Sequence, residues 1–239
     1  GQCRRGFAHD DQGCAAVLPE APCPPGELAL PGETTCRPVM PCGEGRWGDI
    51  PIEAGATVFV DGAAPGPGNG TEASPFSTVG GAVDAASDGS LIAIAAGTYV
   101  EDVRFDLKRL RLWGVCPEQV QLTGTPAAAV ATLVIGEGTD GSEVRGIGIT
   151  SQAAVPPVFV SGGRDVLIER VWIHGGGRRG LNVQPTLGET SVVLRDALIE
   201  GNAEIGLYLS GAELDAERVA VRDTKPDGEG SNGRGISVV

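Results

Sequence analysis

The strongest constraint on this chain is a repeat. The triplets Leu133-Val134-Ile135, Val158-Phe159-Val160, Leu181-Asn182-Val183 and Leu207-Tyr208-Leu209 start 23 to 26 residues apart, and Ile236-Ser237-Val238 opens another after 29. Such a period marks stacked structural units, each too small to bury its apolar side except against its neighbours. The chain therefore reads as an all-β solenoid of about seven coils.

A second set of strands follows the same rhythm at 144–149, 168–173, 194–199 and 216–221. Aligning them puts Val144, Ile168, Leu194 and Ala216 in one inward column, Ile147, Val171, Ala197 and Val219 in another, and Ile149, Ile173, Ile199 and Val221 in a third. All three columns are apolar, which a one-residue slip would destroy. Outward, Arg145, Glu169, Arg195 and Glu217 alternate in sign, and so do Arg170, Asp196 and Arg218. Strands about 4.8 Å apart bring such groups within pairing distance. The outward column Gly148, Trp172, Leu198, Ala220 is apolar, so something is expected to cover it: the N-terminal segment first, a protein partner second.

Residues 1–50 differ from the rest. They carry Cys3, Cys14, Cys23, Cys36 and Cys42 among seven prolines and show no sustained period. Five cysteines cannot pair among themselves, so the distant Cys116 is expected to tie this segment to the solenoid. Three disulfides imply an oxidising compartment, either extracellular, at the cell surface or periplasmic. Without a Cys-x-x-Cys pair and with only two histidines, zinc is not the expected use of these cysteines. Residues 51–239 form the solenoid, which reads as incomplete at its C-terminal end because the coil begun at Ile236 is not closed. End-to-end or face-mediated protein contact is the corresponding expectation. The absence of an N-terminal signal-like stretch suggests numbering that starts after a removed leader.

A net charge of −13 disfavours phosphate backbones, so nucleic acid is not an expected partner. No stretch approaches the roughly 18 apolar residues of a membrane span. Between the first strand at Thr57-Val58-Phe59-Val60 and the repeats, Ser74-Pro75 reads as a helix N-cap and first turn. Phe76, Val79, Val83 and Ala86 form one face over about three turns, and Asp88-Gly89 ends the helix. Its expected task is to cap the open end of the solenoid.

The run from Gly70 to Glu101, with Ser-Pro-Phe-Ser-Thr, Ala-Val-Asp-Ala-Ala and Gly97-Thr98-Tyr99-Val100-Glu101, resembles the opening of right-handed parallel β-helix proteins of the pectin-lyase-like superfamily. The resemblance spans roughly residues 56–239 and implies the fold, while one fold hosts many activities and none. The Gly-Thr-Tyr-x-Glu motif resembles one in pectin methylesterases, but the Gln-Asp-Thr and Asp-Phe-Ile segments that the resemblance would also require are absent. The motif is therefore expected to serve the fold.

Three groups of residues are candidates for function. On the triplet face, Phe159, Asn182 and Tyr208 point outward at rung spacing, a pattern suited to stacking and hydrogen-bonding polysaccharide. Around the glycine-rich turn at 175–180, His174, Arg178, Arg179, Glu200 and Glu204 are the residues of an alternative in which the chain is a polysaccharide lyase or glycoside hydrolase. The loop 223–235, with Asp227, Glu229, Ser231 and Asn232, offers oxygen ligands for calcium without the spacing of a known calcium loop, so a solvated turn and no cofactor is the favoured reading. The expected function is an exported, noncatalytic β-helix scaffold that binds carbohydrate.

Overall fold

The computed structural model describes residues 2–239. Its strands stack in parallel around one axis in an 11-stranded and a six-stranded sheet, giving a right-handed solenoid of about six turns. Each turn has three faces. The first stacks Leu91–Ile94, Arg111–Gly114, Glu143–Arg145 and Val166–Glu169 above the opening strand Thr57–Val60. The second stacks Gly97–Val100, Val120–Thr123, Gly148–Thr150 and Trp172–His174. Further on, Ser191–Glu200 and Glu213–Arg222 each run through both of these faces. The third face is the triplet column, from Val103–Phe105 to Arg234–Val238. It has six strands because the helix Val79–Ala85 occupies that side of the opening turn, packed against Val103–Phe105. This accounts for six turns where the repeat suggested seven.

The expected register is observed. Leu133, Val158, Leu181, Leu207 and Ile236 are successive partners, as are Val144, Ile168, Leu194 and Ala216. The inward columns form one continuous core as far as Leu194, Ala197, Ile199 and Leu207; on the last coils Val219 and Val221 are partly buried against it, and Ala216 and Ile236 are exposed. Arg145 pairs with Glu169 at 2.5 Å, Arg195 with Glu217 at 3.3 Å and Arg218 with Asp196 at 2.6 Å.

The second strands are not straight. Gly146, Arg170, Asp196 and Arg218 all have positive φ, of 66°, 52°, 48° and 54°, and form a column of one-residue left-handed corners between the first and second faces. For a non-glycine residue this conformation costs on the order of 1–3 kcal/mol, offset here by packing on both sides and, at Asp196, by two hydrogen bonds from Arg218. At Gly146 a side chain has no room, since a Cβ would lie 2.3 Å from the carbonyl oxygen of Gly114.

The helix also begins later and ends sooner than the Ser74-Pro75 signal suggests. Phe76 is extended and exchanges backbone hydrogen bonds with Phe59 and Asp61, which rules out a helical turn there. Thr78 is the N-cap and its hydroxyl accepts from Gly81 N. The next cap comes from far along the chain: Glu101 accepts from the amides of Val79 and Gly80, each at 2.8 Å. Seven residues on, Lys108 donates to the carbonyls of Val83 and Ala86 at the other helix end. A carboxylate at the N-terminus and an ammonium at the C-terminus both oppose the helix dipole. Tyr99, buried, donates to Ala95 O at 2.8 Å and accepts from Gly62 N. The Gly-Thr-Tyr-x-Glu motif thus fastens the capping helix to the solenoid, a structural duty.

The N-terminal segment lies along the second face. Disulfides join Cys3 to Cys14, Cys23 to Cys36 and Cys42 to Cys116, the last anchoring the segment to the solenoid. Leu28, Val39 and Leu198 are buried together, with Leu30, Trp172 and Ala220 packed around them. The apolar outward column therefore has its cover in the chain itself. Trp47 and Ile50 continue into the main core, with the Trp47 ring 4.8 Å from Phe59.

Candidate functional site

On the third face Val134, Phe159, Asn182, Tyr208 and Ser237 are consecutive partners in the parallel ladder, so their side chains share one outward column. Phe159 and Tyr208 are half-buried, whereas Asn182 is buried, its Oδ1 accepting from Gln184 Nε2 at 2.7 Å. Gln184 was not among the sequence candidates, although it follows Asn182 by two residues and so falls on the same side. Arg179 extends over the Tyr208 ring with its guanidinium carbon 3.7 Å from the ring centroid. Beside this column lies an open cleft of ≈330 Å³, in which Arg178, Arg179 and Gln184 face an apolar wall of Val130, Val155 and Pro156.

The five residues of the catalytic alternative do not meet in one place. Arg178 and Arg179 reach this cleft and both pair with Glu204, at 3.2 and 3.5 Å. Glu204 is largely covered, and its two oxygens are each held by one guanidinium. His174 and Glu200 instead sit on the second face, beside each other across the ladder. The His174 ring stacks on Trp172 at 3.7 Å, and its Nε2 is 3.0 Å from Gln121 Oε1. Burial lowers the His174 pKa to about 4, against the opposing pull of Glu200, so the imidazole is neutral at pH 7.

Glu200 is itself buried and joins the N-terminal segment to the solenoid. Its carboxylate accepts from Gly26 N at 2.8 Å, Trp172 Nε1 at 2.8 Å and Arg222 at 2.6 and 2.8 Å. The same Arg222 donates to the carbonyls of Pro24 and Glu27. The charged groups near His174 therefore hold two parts of the chain together.

In the loop 223–235, Asp227 accepts from the amides of Glu229 and Ser231 and from Asn232 Nδ2, which closes the turn with its own carboxylate. Among the described residues the one group of His, Cys, Asp or Glu with ligand atoms at metal-binding spacing is Cys3, His9 and Cys14, and its two sulfurs are joined as a disulfide.

Comparison with known proteins agrees with the fold. No protein-family model matches the chain, and no curated protein sequence does. Among solved structures it is similar to the pectin methylesterase PemA from Erwinia chrysanthemi, with a TM-score of 0.52 at 15% identity over 73% of this chain and 61% of that one. It is also similar to the pectin methylesterase from Aspergillus niger, with a TM-score of 0.51 at 16% identity, and to a pectin methylesterase mutant in complex with a hexasaccharide, with the same score and identity. These matches cover 73% and 71% of this chain and 59% and 60% of those structures, so the chain spans about three fifths of the length of the solved structures it resembles. At this identity they establish the architecture alone, a parallel β-helix.

Proposed function

Starting from the pectin-lyase-like β-helix, we propose that this chain is an exported, noncatalytic scaffold that binds carbohydrate on its third face. The observation that carries the reading is the column Phe159, Asn182, Tyr208, in register on three successive rungs, beside a cleft lined by Phe159 and Asn182 together with two arginines and the amide of Gln184. Phe159 offers its ring to the C–H side of a sugar, Tyr208 seats the Arg179 guanidinium, and the guanidinium and amide groups serve hydroxyl and carboxylate substituents. Glu204, the carboxylate beside this cleft, is engaged by both arginines and is poorly placed to act as an acid or base. Export fits the three disulfides, and no helix among the described residues is long and apolar enough to cross a membrane.

A second reading, an enzyme acting on polysaccharide, draws on the pectin methylesterases that share the fold. Both readings are tested on one panel of neutral and acidic polysaccharides. The scaffold reading expects binding by titration calorimetry that weakens about tenfold in Tyr208→Ala, in line with the loss of the ring that seats Arg179. Binding unaffected by that change removes the third-face assignment. Release of methanol, reducing ends or unsaturated products makes the chain an enzyme.

A further inference from the structure

A second cleft, of ≈560 Å³, lies away from the third face. It lies where the N-terminal segment meets the left-handed corners of the first and second faces. One side is built from the segment: Arg37, Val39, Met40, Pro41, Ile50 and Pro51. The other comes from successive rungs: Trp113, Arg145 and Arg170, with Asp196 beyond. The Cys42–Cys116 disulfide fixes the two sides to each other just behind Met40 and Pro41. Docking of the segment turns what would be an open sheet corner into a walled cavity.

Its guanidiniums are incompletely matched, in a protein whose net charge is −13. Arg170 makes no side-chain hydrogen bond, its closest carboxylate oxygen on Glu169 is 4.0 Å away, and the side chain is 45% exposed. Arg145 lies over the Trp113 ring at 4.2 Å with Nη2 2.5 Å from Glu169, an ion pair without hydrogen-bond alignment, and its Nε is buried without a partner. Arg37 is held by Glu33 at 2.9 Å and reaches the same corner, since Arg37, Arg170 and Arg218 all act on Asp196. Asp196 is already bound by both arms of Arg218, which leaves Arg170 the least satisfied cation in the cleft. Asp49, on the segment side, and Asp196, on the rungs, are the opposing charges.

The opposite wall is aliphatic and prolyl, and the indole face of Trp113 is covered by Arg145. The cavity thus offers a sugar ring no free stacking face, but it offers an apolar body a wall and a carboxylate a cationic seat. We propose that this cleft is a binding site for a small organic acid, an aromatic or alicyclic ring bearing one carboxylate, with Arg170 and Arg145 holding the carboxylate and Val39, Met40 and Ile50 the ring. Its volume suits a ligand of that size. The site is separate from the carbohydrate face and does not depend on it.

The test is titration of the whole chain with benzoate, its neutral isostere benzamide, and glucuronate. Benzoate is expected to bind with one-to-one stoichiometry, and about tenfold more tightly than benzamide or glucuronate. Arg170→Ala is expected to weaken benzoate about tenfold and leave benzamide unchanged. Arg178→Ala, in the other cleft, is expected to leave benzoate binding as it was. Circular dichroism confirms that the variants fold, and an indole N–H shift of Trp113 on titration locates the ligand. The proposal is overturned by benzamide or glucuronate binding as well as benzoate, by unchanged affinity in Arg170→Ala, or by no binding of benzoate up to roughly 10 mM.

Discussion

If Glu200 is the residue that fastens the N-terminal segment to the solenoid, replacing it by Gln should release that segment while leaving the β-helix intact. The amide keeps an oxygen for Gly26 N and Trp172 Nε1, but it loses its charge opposite Arg222 and turns an N–H group toward that guanidinium. Breaking a buried ion pair from one side costs roughly 3–5 kcal/mol. Arg222 is 23% exposed and keeps the carbonyls of Pro24 and Glu27, so solvent and these acceptors reduce the cost to about 2–3 kcal/mol. Because Cys42–Cys116 still tethers the segment, the loss should appear as local opening. Amide hydrogen exchange measures it: the protection of Gly26 should fall about 30- to 150-fold, the range that those energies correspond to. Ile168, buried in the middle of the rungs, should keep its protection. A change of less than about threefold at Gly26, or an equal change at Ile168, refutes the assignment of Glu200 as the clasp.

Three further outcomes follow from the same contacts. Glu101→Ala removes two acceptors from the N-terminus of the capping helix and should cost about 1–2 kcal/mol, a fall of about 2–8 °C in Tm by calorimetry. The His174 pKa is lowered in the fold from 6.5 to about 4, so the neutral ring stabilises the fold fully above pH 6.5, and that contribution is lost as pH falls toward 4. The shift sets an upper bound of about 3 kcal/mol, which partial solvent access reduces to about 1–2; denaturant midpoints at two pH values should converge in His174→Phe. Replacing Cys42 and Cys116 by Ser opens a link between residues 74 apart and should cost about 4 kcal/mol in urea unfolding if the unfolded chain is unconstrained without it.

The parts of this fold that were legible in the sequence are those set by the repeat, and the parts that were not are set by contacts across it. A parallel stack repeats its own register, so the columns of Val144, Ile168 and Leu194 and the charge alternation of Arg145, Glu169 and Arg195 appear as soon as the triplets are aligned. The left-handed corners left a mark there too: inward residues run Val144, Ile147, Ile149, and the step of three breaks the alternation of a straight strand at Gly146. That mark was easy to pass over because two of the three later corners are Arg170 and Arg218, a residue type that does not advertise positive φ. The helix start was misplaced for a different reason. Ser74-Pro75 is a sound local signal, but the chain there is held extended by Phe59, and the carboxylate that caps the true start comes from Glu101 on the next turn. The functional candidates divide in the same way. Phe159, Asn182 and Tyr208 share a column because register puts them there, whereas His174 and Glu204 were grouped as residues of successive stacked turns, and His174 stays on the second face while Glu204 meets Arg178 and Arg179 beyond the turn. In a solenoid, then, a candidate site built along the stack can be read from the period, but one built around a turn depends on the path of that turn. The cleft between Arg37 and Arg170 shows why, since those two residues are more than a hundred positions apart in the chain and meet only because the N-terminal segment docks.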